Sequence, residues 1–187
     1  MIRLLDILFS IVGLAILLPL FPLLFLLSLA SKESMLFRQV RVGRLQQSFV
    51  LIKLRTMQSN TASLPSHLVD PSSVTSFGRF LRQAKLDELP QLWNVLRGEM
   101  SLVGPRPCLL SQEVLINERI IRGVYASRPG ITGLAQIKGI DMSTPKLLAE
   151  TDEKMLATLN FSSYFWYIVS TILGKGSGDS VSVKNEH

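Results

Sequence analysis

The chain has 187 residues, 47% of them hydrophobic, which is room for one ordinary domain and an appendage. Lys and Arg number 20 against 14 Asp and Glu, a formal charge of +6 that favours anionic partners. A single cysteine, Cys108, excludes an internal disulfide framework and a cysteine-built zinc site, and the only histidines are His67, in the loop-like "LPSHLVDPSS", and the terminal His187, so catalysis is expected from carboxylates, Lys, Arg or Tyr.

Residues 7 to 31, "ILFSIVGLAILLPLFPLLFLLSLAS", contain no charged side chain, a run longer than the ~20 residues a helix needs to cross a bilayer. Pro19 stands at its midpoint and Pro22 one turn later, so two backbone donors are missing where hydration is least available. A bend at Leu18, Pro19 and Pro22 leaves halves of about 12 residues, roughly 18 Å of helix against a hydrocarbon core of ~30 Å. That geometry favours a re-entrant hairpin over its two alternatives, a straight span and a cleaved signal peptide. Arg3 precedes the run, and residues 32 to 57 follow it with six cations against one anion, which places both flanks on the cytoplasmic side.

Beyond the anchor, "SMLFRQVRVGRLQQSFVLIKLRTM" alternates apolar and polar residues at Phe49, Leu51 and Leu54, with Gly43 at a turn, and predicts a short β-hairpin near the membrane surface. Arg38, Arg41 and Arg44 suit lipid headgroups as well as a substrate. Residues 58 to 76 have loop composition. "FGRFLRQAKL" carries Phe77, Phe80, Leu81 and Leu86 near helical spacing and puts Arg79 and Arg82 on one face.

Pro90 cannot lie inside a helix but suits the start of one, so "PQLWNVLRG" predicts a new helix ended by Gly98. Asp87 and Glu88 then stand just ahead of its amino terminus, as capping acids or as chemical groups. "EMSLVGPRP" predicts a short strand leading to a loop that holds Arg106 between Pro105 and Pro107; a guanidinium placed so rigidly suits phosphate, and a solvent-facing turn arginine is the alternative.

In "SRPGITGLAQIKG", Arg128 precedes a proline, and three glycines permit close backbone approach to a ligand or a membrane. Residues 144 to 173 look helical, with Tyr164, Trp166 and Tyr167 suited either to the headgroup level or to a core. The tail from 174 to 187 has flexible composition.

An acidic pair at a helix start, with arginines at 79, 82, 106 and 128, suits phosphoryl transfer better than either set alone. A carboxylate can attack phosphorus and split one displacement into two, while arginines and Mg²⁺ neutralise the transferred group. "LRQAKLDELPQLWNVLRGEMSLVGPRP", with "FRQVRVG", "FVLIKLRTM" and "RPGITGLAQIKG", resembles the signature of the bacterial sugar transferases, small monotopic phosphoglycosyl transferases, over nearly the whole chain. The resemblance implies that Asp87 is the nucleophile on the β-phosphate of a UDP-sugar, commonly one bearing an N-acetylated aminosugar. UMP is then released, and undecaprenyl or another polyprenyl phosphate takes up the phosphosugar in the first membrane step of glycan assembly. It implies Glu88 as second member of the dyad, Mg²⁺ held at Asp87 and Glu88, and phosphate contacts from Arg82 and Arg106. Arg79, Arg128, Lys53 and Arg55 complete the candidate binding set.

The expected fold is α+β. A re-entrant membrane anchor over 1–31 is followed by a mostly helical catalytic domain with a small sheet and surface amphipathic helices over 32–173, and a flexible tail over 174–187. The expected setting is the bacterial inner membrane, with the catalytic domain on its cytoplasmic face. Oligomeric state is left open, a homodimer included. Three departures from the pattern bear on the bend and the donor: Leu18 where serine is frequent, Lys138-Gly139-Ile140 where Asn-Gly-Arg is common, and the variant "LAETDEKML". A non-catalytic anchored partner protein is the alternative from another class. A nucleic-acid partner is not expected, because the cations concentrate beside the anchor and no recognition motif is present.

Overall fold

The computed structural model describes residues 2–22, 34–58 and 70–176. Seven helices and two small sheets occur among them, a mixed α+β architecture. His67 and residues 177–187 lie outside the described residues.

The period-2 pattern produces the expected hairpin. Strands β1 (Leu36–Val42) and β2 (Ser48–Leu54) pair antiparallel, with Gln39 opposite Leu51 and Arg41 opposite Phe49. Those four residues and Lys53 are buried on one face, so the hairpin turns polar as well as apolar side chains inward. Gly43 closes the turn through its N–H, which donates to the Gln47 carbonyl at 2.9 Å.

Helix α1 (Ile2–Leu17) gives way at Leu18–Leu20 to a tighter 3₁₀ turn that contains Pro19. Leu17 and Phe21 on either side keep right-handed helical backbone angles. Within the described residues the proline thus tightens the helix, and residues 23–33, on which the return limb of the hairpin would fall, lie outside them. No helix among the described residues is long and apolar enough to cross a membrane. One side of α1 docks on the domain, where Gly13 meets Leu92 so closely that a Cβ there would lie 2.6 Å from its Cδ1. Leu4, Leu8, Ile11 and Ile16 on another side are exposed.

Asp6 on the docked side is only 2% exposed. Its carboxylate accepts from the Leu102 N–H at 3.0 Å, from the Ser101 hydroxyl at 2.9 Å and from the Tyr164 hydroxyl at 2.8 Å. Burial, reinforced by that acceptor, pushes the Tyr164 phenol well above its ordinary pKa.

Helix α2 (Ser76–Gln83) and helix α3 (Gln91–Leu96) flank the acidic pair. Asn94 ties α3 to the hairpin by imitating a strand, since its amide donates to the Val50 carbonyl at 2.8 Å and its oxygen accepts from the Ile52 N–H at 3.1 Å. A second sheet pairs β3 (Ser101–Val103) with β4 (Gly130–Thr132) in parallel, joined through helix α4 (Glu113–Ile121). Gly130 belongs to that pair: a Cβ on it would fall 2.0 Å from the Gly104 nitrogen. The close approach read from the glycines as serving a ligand or membrane is here, at Gly130, an approach of backbone to backbone.

The stretch read as helical from 144 to 173 is two helices, α6 (Pro145–Thr158) and α7 (Phe161–Ile172), preceded by the one-turn α5 (Leu134–Ile137). The break is made by Asn160, whose side chain caps α7 in a reciprocal box with Ser163. The aromatic run divides as its face demands: Tyr164 and Tyr167 join the main core with Phe49, Leu92, Val95 and Met155, whereas Trp166 is half exposed.

Candidate active site

The acidic pair is positioned from both sides. Thr75 caps α2 by accepting from the Gly78 N–H at 2.9 Å, and Gly78 lies against the Thr56 carbonyl, where a Cβ would come within 2.0 Å. Arg82 closes the same corner, donating through Nε to the Thr56 hydroxyl at 2.8 Å. The helix ends at Ala84, and Lys85 at φ 55° turns the chain left-handed into a 3₁₀ turn, Leu86–Glu88. A non-glycine residue in that conformation is strained by ~1–3 kcal/mol. Lys85 is held there by its amine, which donates to the Thr171 and Lys175 carbonyls at the end of α7. Burial pulls the Lys85 pKa down against the attraction of Glu88, with Arg106 adding repulsion.

Asp87 and Glu88 are 2% and 8% exposed. Pro90 directly precedes α3 and no side chain caps that helix, so the pair does not serve as its N-cap. Glu88 instead accepts through Oε1 from Arg106 Nη2 at 2.7 Å. A charge-assisted bond of that length fixes both groups in one geometry.

The loop carrying Arg106 is fastened through its carbonyls, because Pro105 and Pro107 offer no N–H. Pro105 O accepts from the Gly130 N–H at 2.9 Å and Cys108 O from the Val42 N–H at 3.0 Å. Pro107 O accepts from Arg41 Nη1 at 3.2 Å and Arg106 O from Arg119 Nη1 at 2.8 Å. Four consecutive carbonyls are thus held by β4, α4 and β1. Arg119 is itself 1% exposed and paired with Asp152, which is wholly buried, at 2.6 Å. Burial is the largest influence and opposes the Arg119 charge, but Asp152 together with Cys108 and Tyr125 raises the guanidinium pKa.

Of the residues expected from sequence, the structure joins Glu88 to Arg106 directly, and Arg82 bonds Thr56. Lys53 lies on β2, which packs against the dyad turn, with its amine 5.6 Å from the Phe37 ring centre. Arg55 donates to the Ser34 carbonyl and also lies over Phe37. Arg128 donates to the Gly98 carbonyl at 2.8 Å, and Arg79 is exposed on α2. Among the hairpin arginines Arg38 is exposed, Arg44 donates to the Ala126 carbonyl, and Arg41 is a buried support of the Arg106 loop. Sequence alone suggests a lipid or substrate contact for Arg41 and gives no signal for Arg119 with Asp152. The pair lies 33 residues apart on helices whose sequences give no sign that these two charges face inward.

A cavity of about 420 Å³ opens beside the dyad, with Glu88, Lys85 and a set of aliphatic side chains in its wall. Two adjacent carboxylates suit Mg²⁺, which is commonly held by one or two carboxylates together with substrate phosphates. Among the described residues no group of three or more His, Cys, Asp and Glu side chains could hold a metal by itself.

Comparison with known proteins places the chain among its relatives. The profile of the family described as bacterial sugar transferase matches residues 1–175. The UDP-glucose:undecaprenyl-phosphate glucose-1-phosphate transferase of Caulobacter vibrioides is 46% identical over 140 residues, 70% of this chain and 52% of that protein. The exopolysaccharide production protein ExoY of Sinorhizobium fredii is 38% identical over 152 residues, 72% of this chain and 67% of that protein. A putative undecaprenyl-phosphate N-acetylgalactosaminyl 1-phosphate transferase of Bacillus subtilis is 41% identical over 109 residues, 56% of this chain and 60% of that protein. The chain spans about half the length of the Caulobacter protein and less of several other relatives. With its profile matched over residues 1–175, the chain belongs to the bacterial sugar transferase family.

Proposed function

We propose that the protein is a phosphoglycosyl transferase that moves a sugar 1-phosphate from a UDP-sugar to undecaprenyl phosphate at the cytoplasmic face of the bacterial inner membrane. The observation that carries this reading is the Glu88–Arg106 contact at 2.7 Å beside Asp87, a carboxylate pair and a phosphate-type guanidinium on two rigidly held turns. The exposed apolar residues Leu4, Leu8, Ile11 and Ile16 of α1 support attachment to a lipid surface.

In the first step an oxygen of Asp87 attacks the β-phosphorus of the donor. A new O–P bond forms, and the bond from that phosphorus to the bridging oxygen breaks, so that UMP leaves with the bridging oxygen. In the second step a phosphate oxygen of the acceptor attacks the same phosphorus, the diphosphate linkage forms and the Asp87 carboxylate is released. Arg106 stabilises the charge on the transferred phosphoryl oxygens, and Glu88 orients Arg106. A bound Mg²⁺ would be held by Asp87 and Glu88 and would neutralise diphosphate charge.

The donor is a UDP-sugar, for which N-acetylated aminosugars and glucose are both candidates; glucose appears in the names of several relatives. UMP release from a panel of UDP-sugars, measured with undecaprenyl phosphate and Mg²⁺, tests the reading. Asp87→Asn is expected to abolish release, and a variant with undiminished turnover would sink the assignment.

A further inference from the structure

We infer that the cavity beside Glu88 is the seat of the first isoprene units of the lipid acceptor. Its wall is built from Leu86 and Leu89 of the dyad segment, Leu92 of α3, Leu102 of β3, Ile131 of β4 and Ile168 of α7. This inference rests on the transferase reading and locates one of its two substrates.

The polar groups in the wall are largely engaged with the protein itself. Glu88 bonds Arg106, and the Lys85 amine bonds two carbonyls at the end of α7. The Thr132 and Thr171 hydroxyls bond each other. A sugar or a uracil placed here would bury hydroxyls or amides with few partners, a penalty that an alkenyl chain does not incur. The same lining rewards apolar burial in proportion to the area covered.

Location gives the second argument. Glu88 belongs to the cavity wall and is the sequence neighbour of Asp87, so a chain lying in the cavity brings its phosphate end to the dyad. Ile172 is also in the wall and is 78% exposed, which opens the cavity to the surface along α7. There Val169 and Leu173 continue the exposed apolar face. At about 420 Å³ the cavity is of ordinary ligand size, ~300–1,000 Å³, and takes the start of a polyprenyl chain while the remainder runs out past Ile172.

Two measurements on the full chain test this. A polyprenyl phosphate bearing a diazirine on its first isoprene units is photolysed with the protein in detergent, and the labelled peptides are mapped. Label is expected within 86–92 and 168–172; label confined to α1, or none at all, overturns the assignment. This readout needs no turnover, so it decides the cavity even if the wild-type protein releases no UMP, an outcome that would count against the transferase reading itself.

Kinetics give the second arm. Ile168→Trp fills the cavity and is expected to raise KM for undecaprenyl phosphate by roughly tenfold or more, the equivalent of about two CH₂ groups of lost burial, with KM for the donor unchanged. The exposed-rim variant Ile172→Asn, which leaves the core intact, should shift the acceptor KM in the same direction. Unchanged acceptor KM in both variants refutes the inference. A rise in donor KM instead gives the cavity to the nucleotide sugar and refutes it equally.

Discussion

Asp152→Ala would leave the Arg119 guanidinium buried without its carboxylate partner, with the Arg106 carbonyl and the Tyr125 hydroxyl left to meet it. Breaking a buried pair from one side is destabilising by about 3–5 kcal/mol. Arg119→Met strands the Asp152 carboxylate, which is 0% exposed, and also takes the donor from the Arg106 carbonyl, a further ~1–3 kcal/mol. Against a total of about 5–15 kcal/mol for an ordinary domain, either single variant approaches the limit of folding. The double variant Arg119→Met with Asp152→Leu removes both charges at once, so only the orphaned carbonyl remains and the loss falls to about 1–3 kcal/mol. Urea unfolding in detergent, followed by the fluorescence of Trp93 and Trp166, gives the three values. The folded double variant should still turn over more slowly, by roughly 5- to 150-fold if that same energy appears in the barrier, because Arg106 has lost one of its four anchors. A double variant no more stable than the singles would refute the reasoning. So would an Asp152→Ala protein within 1 kcal/mol of the parent.

Two further outcomes follow from the geometry. Asp6→Asn weakens the acceptor of three donors and keeps only one oxygen to serve them; the expected loss is at least one charge-assisted bond, about 1.5–3 kcal/mol in urea unfolding, and an unchanged midpoint would contradict the assignment. Lys85 has a pKa lowered by burial, so between that value and the ordinary lysine value the folded chain binds fewer protons than the unfolded one. Stability therefore rises with pH across that alkaline window, and Lys85→Met should flatten the rise; parallel pH curves for parent and variant would count against it.

The hairpin was legible because period-2 alternation over two seven-residue strands leaves little choice of register. The break in the chain at the acidic pair and the loop at Arg106 were legible because one proline after the pair and two around the arginine dictate backbone form locally. The parallel pairing of β3 with β4 was not, since each strand has three residues and its glycines serve a neighbour that the sequence does not name. The break between α6 and α7 was missed for a different reason. Both segments are apolar at helical spacing, and one asparagine with a serine three residues on decides the boundary. Buried charges were the least legible of all. Arg41, Arg119, Asp152 and Asp6 have the composition of surface residues, and only partners distant in the chain make their burial tolerable.

Asp6 sets an order of events in synthesis. Its carboxylate waits for Ser101, 95 residues later, and for Tyr164, 158 residues later. Helix α1 is made before either partner, and these contacts to it close late, since closing so long a loop is slow. A nascent chain stopped before Tyr164 holds an acid on the inner face of α1 with part of its destination unmade. Formation of α7 is thus felt at α1 more than 150 residues earlier, and the Asp6 contacts are complete only once both β3 and α7 are in place.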